Sequence, residues 1–194
     1  AEEIQVLKQS SLIASGLFLP WSDQDAAKLA AECSRPQSSQ FTDPAGFLPL
    51  STKQKDRFHR WARPSDILRF RQQNAVLSSI VKPTLGKPCI VKAITPYSIQ
   101  QKYVTDCSFI ASLCICATFE RRFRKRLITS ILHPQDANGN PIYNPAGKYM
   151  VKLWLNGVAR CVVVDDYLPV DKHGNLLCSQ TTNSSSDSLE LWVS

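Results

Sequence analysis

The sequence predicts an α+β fold, with helical segments in the first part of the chain and antiparallel strands in the second. Three observations carry this expectation. Residues Cys107 to Phe119 are apolar or small almost without interruption, a run too long for a typical strand and suited to a helix buried on most of its surface. Behind them, Lys148–Leu155 and Val158–Val164 flank Asn156-Gly157, the strongest short hairpin signal a sequence can carry. The chain also has 194 residues, 43% hydrophobic and 20% charged, which is enough for one sizeable core, or a core and an extension.

Taken in order, Glu3–Leu50 mixes short apolar groups with turn formers such as Asp43-Pro44-Ala45-Gly46 and predicts irregular structure with one or two short helices, Asp25–Cys33 among them. Ser51 is a candidate N-cap for a helix through Lys53–Ala62, and Ser65 for another over Asp66–Gln73 after the interruption at Pro64. Pro83, Gly86 and Pro88 mark a connector. Thr105 or Asp106 can cap the helix that begins at Cys107 and ends in Arg121-Arg122-Phe123-Arg124-Lys125-Arg126, where cations suit the negative end of the helix dipole. In Lys148–Leu155, alternation places Tyr149, Val151, Leu153 and Leu155 on one face and Lys148, Met150, Lys152 and Trp154 on the other. His173-Gly174-Asn175 is a turn before a further short stretch, Leu176–Cys178. The polar run Ser179–Ser188 predicts a mobile loop, and its Asn183-Ser184-Ser185 sequon matters only in a secreted protein.

Composition excludes several classes of function. The longest apolar runs fall far short of the roughly 20 residues a membrane span needs, and Ala1-Glu2-Glu3 is unlike a signal peptide, so a soluble cytoplasmic protein is expected. Seven cysteines at irregular spacing, most inside apolar runs, read as reduced thiols, and Cys114-Ile115-Cys116 lacks the partner cluster of a zinc site. A net charge of +7 favours acidic partners or an anionic surface, but no aromatic-basic repeat or zinc signature marks a nucleic-acid binder.

One constellation carries chemistry. A cysteine in the first turn of a helix meets unpaired N–H groups and the positive end of the backbone dipole, which favour thiolate over thiol and single out Cys107 as a nucleophile. Six residues earlier, Gln101 can offer an amide N–H to an oxygen developing negative charge beside that sulfur, as an oxyanion hole requires. Spacing alone does not separate this reading from a structural cysteine at a helix start.

Whole segments do. Gln101-Lys102-Tyr103-Val104-Thr105-Asp106-Cys107-Ser108-Phe109-Ile110-Ala111-Ser112-Leu113 resembles the nucleophile motif of the calpain family, with glutamine six residues before the cysteine and aspartate directly before it. Asp165-Asp166-Tyr167-Leu168-Pro169-Val170 resembles the family's hairpin-to-loop segment, and Glu190-Leu191-Trp192 the start of its next helix. Within the family, the calpain-7/PalB branch is the most similar, at Phe18-Leu19-Pro20-Trp21, Trp61-Ala62-Arg63-Pro64, Glu120-Arg121-Arg122-Phe123 and Tyr143-Asn144-Pro145. Thr105 and Ser108 replace the glycine and tryptophan of conventional calpains and agree with that branch. Ser98 stands where conventional calpains have an acidic calcium ligand, and a neutral hydroxyl is a weaker ligand for a hard cation, so calcium activation through that position is not expected.

The resemblance implies a papain-like catalytic core of which this chain holds the first subdomain: residues 1–90 as an extension and helical segment, and 91–194 as an incomplete protease subdomain. It implies an intracellular endopeptidase acting on protein substrates through a Cys107 thioester, with no cofactor needed for the chemistry. It also implies a parent protein whose other modules engage the ESCRT machinery. Calpains take their catalytic histidine and asparagine from a second subdomain, and His59, His133 and His173 match neither. The other class of function is a non-catalytic scaffold that docks to an acidic partner.

Overall fold

The structure is a computed structural model that describes residues 2–13, 16–33, 39–78, 86–183 and 188–194. It opens with α1 (Glu2–Gln9) and a short antiparallel pair, β1 (Leu12–Ile13) with β2 (Gly16–Leu17). In α2 (Asp23–Cys33), the Ser22 hydroxyl accepts from the Asp25 N–H, and Asp23 and Asp25 face the positive end of the helix. α3 (Thr52–Lys55) is a single turn closed by a capping box: Ser51 Oγ accepts from the Gln54 N–H, and the Gln54 side chain accepts from the Ser51 N–H. There follow β3 (Arg60–Ala62), α4 (Pro64–Ser78), β4 (Pro88–Cys89), a 3₁₀ turn at Pro96–Ser98 and β5 (Ile99–Gln100). Next come α5 (Cys107–Phe123), α6 (Ile128–Ile131) and β6 (Leu132–His133). The chain closes with β7 (Lys148–Leu155), β8 (Val158–Asp165), β9 (Leu168–Val170), β10 (Gln180–Thr181) and β11 (Leu189–Glu190).

These elements form two compact units, each made of two stretches of chain. The first comprises residues 1–44 and 131–165 and is organised by the antiparallel sheet β6-β7-β8. Eight residue pairs run from Lys148↔Asp165 to Leu155↔Val158, and the connecting Asn156 and Gly157 both have left-handed backbones (φ 52 and 75), the conformation of a two-residue type I′ turn. Met150 is the most buried residue of β7. Residues 19–21 join β8 on its other edge, with the Trp21 N–H donating to Ala159 O and the Cys161 N–H to Leu19 O, both at 2.8 Å. Arg160, 1% exposed, donates from its guanidinium to Ser11 Oγ, Phe18 O, Ser10 O and Ser10 Oγ, so the start of the unit is tied to its last strand. The cation is thereby solvated by fixed oxygens in place of water.

The second unit comprises residues 45–130 and 166–194. Its core gathers Ala62, Ile67, Leu68, Val170, Leu176 and Leu189, with Leu168, Cys178 and Leu191 packed against them. β3 pairs antiparallel with β9, β5 with β10, and β4 runs parallel to β11. Ladders of two or three residue pairs are too short to persist alone. The unit therefore depends on side-chain ties, of which the buried ion pair between Arg63 and Asp166 is one, with Tyr167 lying 4.1 Å from the Arg63 guanidinium. Burial alone would favour neutral Arg63; Asp166 and Tyr167 outweigh it and hold the guanidinium above its usual pKa.

Several expectations need correction. The helix expected through Ala62 stops at Lys55, and Arg60–Ala62 is a strand because Leu168–Val170 offers it a partner. Ser65 is no cap: α4 begins at Pro64, whose fixed φ and missing N–H suit the first helical position, and the Arg63 carbonyl accepts the N–H groups of Asp66 and Ile67. The stretch after the His173-Gly174-Asn175 turn makes a single bridge, Val170↔Leu176. Ser179–Asn183 is not a free loop, since Gln180–Thr181 is β10 and both Ser179 and Thr181 are buried; residues 184–187, with Ser184 and Ser185 of the sequon, lie outside the described residues. Pro83 of the expected connector lies outside them too. Leu189–Glu190 is a strand followed by a turn, in which the Ser194 N–H donates to Leu191 O, where the resemblance put the start of a helix.

The largest correction concerns α5. Its helical character and start agree with the sequence, yet Ala117 is its only buried residue, and Phe109 (60% exposed), Ile115 (70%), Phe119 and Phe123 face solvent. An apolar run specifies that a face can be covered and does not supply the cover. Among the described residues, the 3₁₀ turn Pro96–Ser98 packs against one side of the helix.

Candidate active site

The residues singled out for chemistry lie in the second unit, on the segment 95–107. Thr95 opens it as the cap of the 3₁₀ turn, its carbonyl accepting from Ser98 Oγ at 3.0 Å. β5 follows, with Ile99 opposite Thr181 and Gln100 opposite Gln180, and the Thr182 N–H donates to Ser98 O at 2.7 Å. Gln101 comes directly after this ladder. Its side-chain amide is exposed and donates to Val104 O at 2.8 Å, so the donor is held inside its own loop. Tyr103 fixes the loop from the other side: its carbonyl accepts from Ser51 Oγ at 3.1 Å, and the Arg57 guanidinium lies 4.8 Å from its ring. Gln54, the partner of Ser51 in the capping box, donates in turn to Leu177 O.

Cys107 is the first residue of α5 and is exposed. Asp106 occupies the cap position but makes no side-chain capping hydrogen bond, contrary to the expectation that Thr105 or Asp106 would satisfy the first N–H groups. A helix start without a side-chain cap leaves its first N–H groups without an intrahelical partner, at the end where the backbone dipole is positive. Four other cysteines sit in the opposite environment. Desolvation pushes the Cys178 thiol up to about 11 and raises Cys33, Cys89 and Cys161 above the usual thiol range. Cys33 and Cys89 donate to the carbonyls of Tyr143 and Leu189.

The three histidines make other contacts. The His59 N–H joins the backbone ladder at Val170 O, the His173 N–H lies in a turn on Asp171, and the His133 ring packs against Trp21 in the first unit. Ser98 is buried. Among the described residues no group of three or more His, Cys, Asp or Glu side chains is gathered to hold a metal ion, and no helix is long and apolar enough to cross a membrane.

Sequence reasoning found Ser51 as a helix cap, which the capping box bears out, but missed that it also braces this segment, as do Gln54, Arg57 and above all Glu190. A glutamate between two leucines, Leu189 and Leu191, was the available signal, since a charge inside an apolar run must find donors. Other segments of the resemblance also serve the backbone. Glu120 accepts from the N–H groups of Leu127, Ile128 and Thr129 and from the Thr129 hydroxyl, fixing the chain beyond α5, and buried Asn144 bonds Ala146 N–H and Lys148 O.

A mixed helix and strand domain with an exposed thiol heading a helix is compatible with the cysteine proteases, and the comparison is specific: the family described as "Calpain family cysteine protease" matches residues 37–194. This chain belongs to the calpain family. It is 45% identical over 194 residues to calpain-7 of Mus musculus and of Homo sapiens, covering 100% of the chain and 21% of each relative. It is 33% identical over 178 residues to the calpain-like protease palB/cpr-8 of Neurospora crassa, covering 87% of the chain and 17% of that protein. The chain thus spans about a fifth of the length of the curated relatives it matches.

Proposed function

We propose that the protein carrying this chain is a calpain-type cysteine endopeptidase in which Cys107 attacks the scissile carbonyl to give a thioester. Gln101 and the Cys107 backbone N–H would stabilise the tetrahedral oxyanion. The observation that carries this is the exposed Cys107 at an uncapped helix start, while Cys33, Cys89, Cys161 and Cys178 are raised by burial. The Gln101 amide would have to exchange its bond to Val104 O for the substrate oxygen. In this reading residues 91–194 belong to the first subdomain of a papain-like core, 1–90 precede it, and the histidine base and its asparagine partner come from outside these 194 residues. The substrates are proteins, the chemistry needs no cofactor, and calcium has no carboxylate at Ser98. The family resemblance of the sequence leads us to expect, further, a cytoplasmic protein that works beside ESCRT components through other modules.

The test is peptide turnover by the full-length protein together with limited iodoacetamide labelling across pH 5–9, read by mass spectrometry. Cys107→Ala abolishes turnover, Gln101→Ala lowers kcat by about 10² to 10³ with little change in KM, and Cys107 is labelled first and at the lowest pH. Turnover that survives Cys107→Ala, or labelling that does not distinguish Cys107 from the other cysteines, leaves the scaffold reading, which the exposed Phe109, Ile115, Phe119 and Phe123 beside Arg121–Arg126 would then serve.

A further inference from the structure

We infer that Glu190 is a positioning residue for Gln101, so that one buried carboxylate sets the geometry of the oxyanion hole; this rests on the catalytic reading above. Glu190 is 0% exposed. Its Oε1 accepts from the backbone N–H of Lys92 at 2.5 Å and of Ala93 at 3.0 Å. Its Oε2 accepts from Thr181 Oγ1 at 2.8 Å and Asn183 Nδ2 at 2.9 Å. Bonds to an ionised acceptor are the strong ones, about twice a neutral pair.

The two sets of donors belong to different stretches of chain. Lys92 and Ala93 lead into the Thr95 cap, the 3₁₀ turn and β5, whereas Thr181 and Asn183 bracket the end of β10. These stretches also pair with each other, through Gln100↔Gln180, Ile99↔Thr181 and the Thr182 N–H on Ser98 O. Glu190 therefore clamps both sides of a two-residue ladder that ends one residue before Gln101. Its own backbone is fixed to the same region, since β11 pairs with β4 and the Leu191 N–H reaches Cys89 O. A ladder this short cannot fix a side chain alone. With the clamp in place, the Cα of Gln101 leaves the ladder at a defined point, and the amide, once it releases Val104 O, starts its approach to the oxyanion from a fixed backbone position.

Glu190→Gln keeps the shape and removes the charge. Turned toward Lys92 and Ala93, the new NH₂ faces two backbone donors; turned the other way, it can be accepted only if the Thr181 hydroxyl and the Asn183 amide reorient, so either way the clamp is weakened. Gln101 acts only on the tetrahedral oxyanion, whereas alkylation of the thiol by iodoacetamide passes through no such species, so the two reactions separate positioning from general support. In the full-length protein, Glu190→Gln lowers kcat on a peptide substrate by about 10- to 100-fold with KM within about twofold. The rate and pH profile of Cys107 alkylation stay unchanged, and Gln101→Ala with Glu190→Gln loses no more than Gln101→Ala alone. Thr181→Val, which removes one donor and leaves the charge, shifts kcat the same way by a smaller factor and serves where Glu190→Gln does not fold. Equal loss of turnover and alkylation, multiplicative losses in the double variant, or full turnover in both Glu190→Gln and Thr181→Val overturns the inference. Normal turnover in Gln101→Ala fails the reading of Gln101 itself, a result distinct from any of these.

Discussion

The β7–β8 hairpin and the segment that leads to Cys107 are both runs of short range in sequence, but they are held in different ways. The hairpin carries its own support: eight facing pairs, a turn whose two residues accept left-handed backbones, and neighbours that need only continue the ladder. The nucleophile segment has a two-residue ladder, a single 3₁₀ turn and a loop, and takes its order from Ser51, Arg57, Thr181 and Glu190, all distant in sequence. Backbone pairing makes the first region robust to single side-chain changes, whereas the second concentrates its stability in a few polar atoms that must all be satisfied.

Substitutions in the two units can test this contrast, and the largest effect is expected at the ion pair. Arg63→Ala buries Asp166 without its cation and should destabilise the second unit by about 3–5 kcal/mol. Hydrogen exchange read by mass spectrometry should show β3 and β9 opening while β7 and β8 keep their protection; equal loss in both units would break the contrast.

Glycine substitutions sharpen it. Gly157 and Gly174 have nearly the same backbone (φ 75 and 76), but a Cβ on Gly157 meets nothing within 4 Å, whereas one on Gly174 comes 2.6 Å from Phe70 Cδ1. Gly157→Ala should cost about 1 kcal/mol from the left-handed backbone alone, and Gly174→Ala about 2–4 kcal/mol because overpacking adds to it. Urea unfolding of the two variants measures the difference, and similar midpoints would show that the second unit relaxes more freely than its packing indicates.

The smallest effect is one of pH. Burial would raise the Asp171 pKa, but the Asn175 side chain and the N–H groups of Asn175 and His173 hold it below the usual carboxylate range. A depressed folded pKa means that this turn contributes stability above the unfolded value of about 4 and loses it as pH falls through the folded one. Measured against the intrinsic exchange rate at each pH, protection of the His173 and Asn175 amides should therefore fall below about pH 4 before that of β7–β8 changes; simultaneous loss would point to global acid unfolding.

The same contrast explains what the sequence made legible. The hairpin and α5 announce themselves through period, turn chemistry and length, all local signals. β3 does not, because Arg60–Ala62 is extended only on account of Leu168–Val170, and nothing within three residues records that partner. Glu190 was hidden for the same reason: its donors at Lys92, Ala93 and Thr181 come from stretches that its neighbours do not reveal. Exposure of α5 was unreadable because hydrophobicity states a preference and says nothing of whether a covering surface is present. Cys107 and Gln101 stood out through the family likeness of the whole segment, while the side chains that brace them had no signature of their own.

Both units are assembled from separated stretches, 1–44 with 131–165 and 45–130 with 166–194. A ribosome delivers the chain in order, and domains usually finish folding from the N-terminus as they emerge. Here that order is interrupted. Ser10 and Ser11 wait for Arg160, and by the time it appears all of α5 has already been made. The thiol at Cys107 is therefore synthesised well before the carboxylate at Glu190 that holds the ladder leading to Gln101. During translation the nascent chain displays its cysteine first and acquires the clamp last.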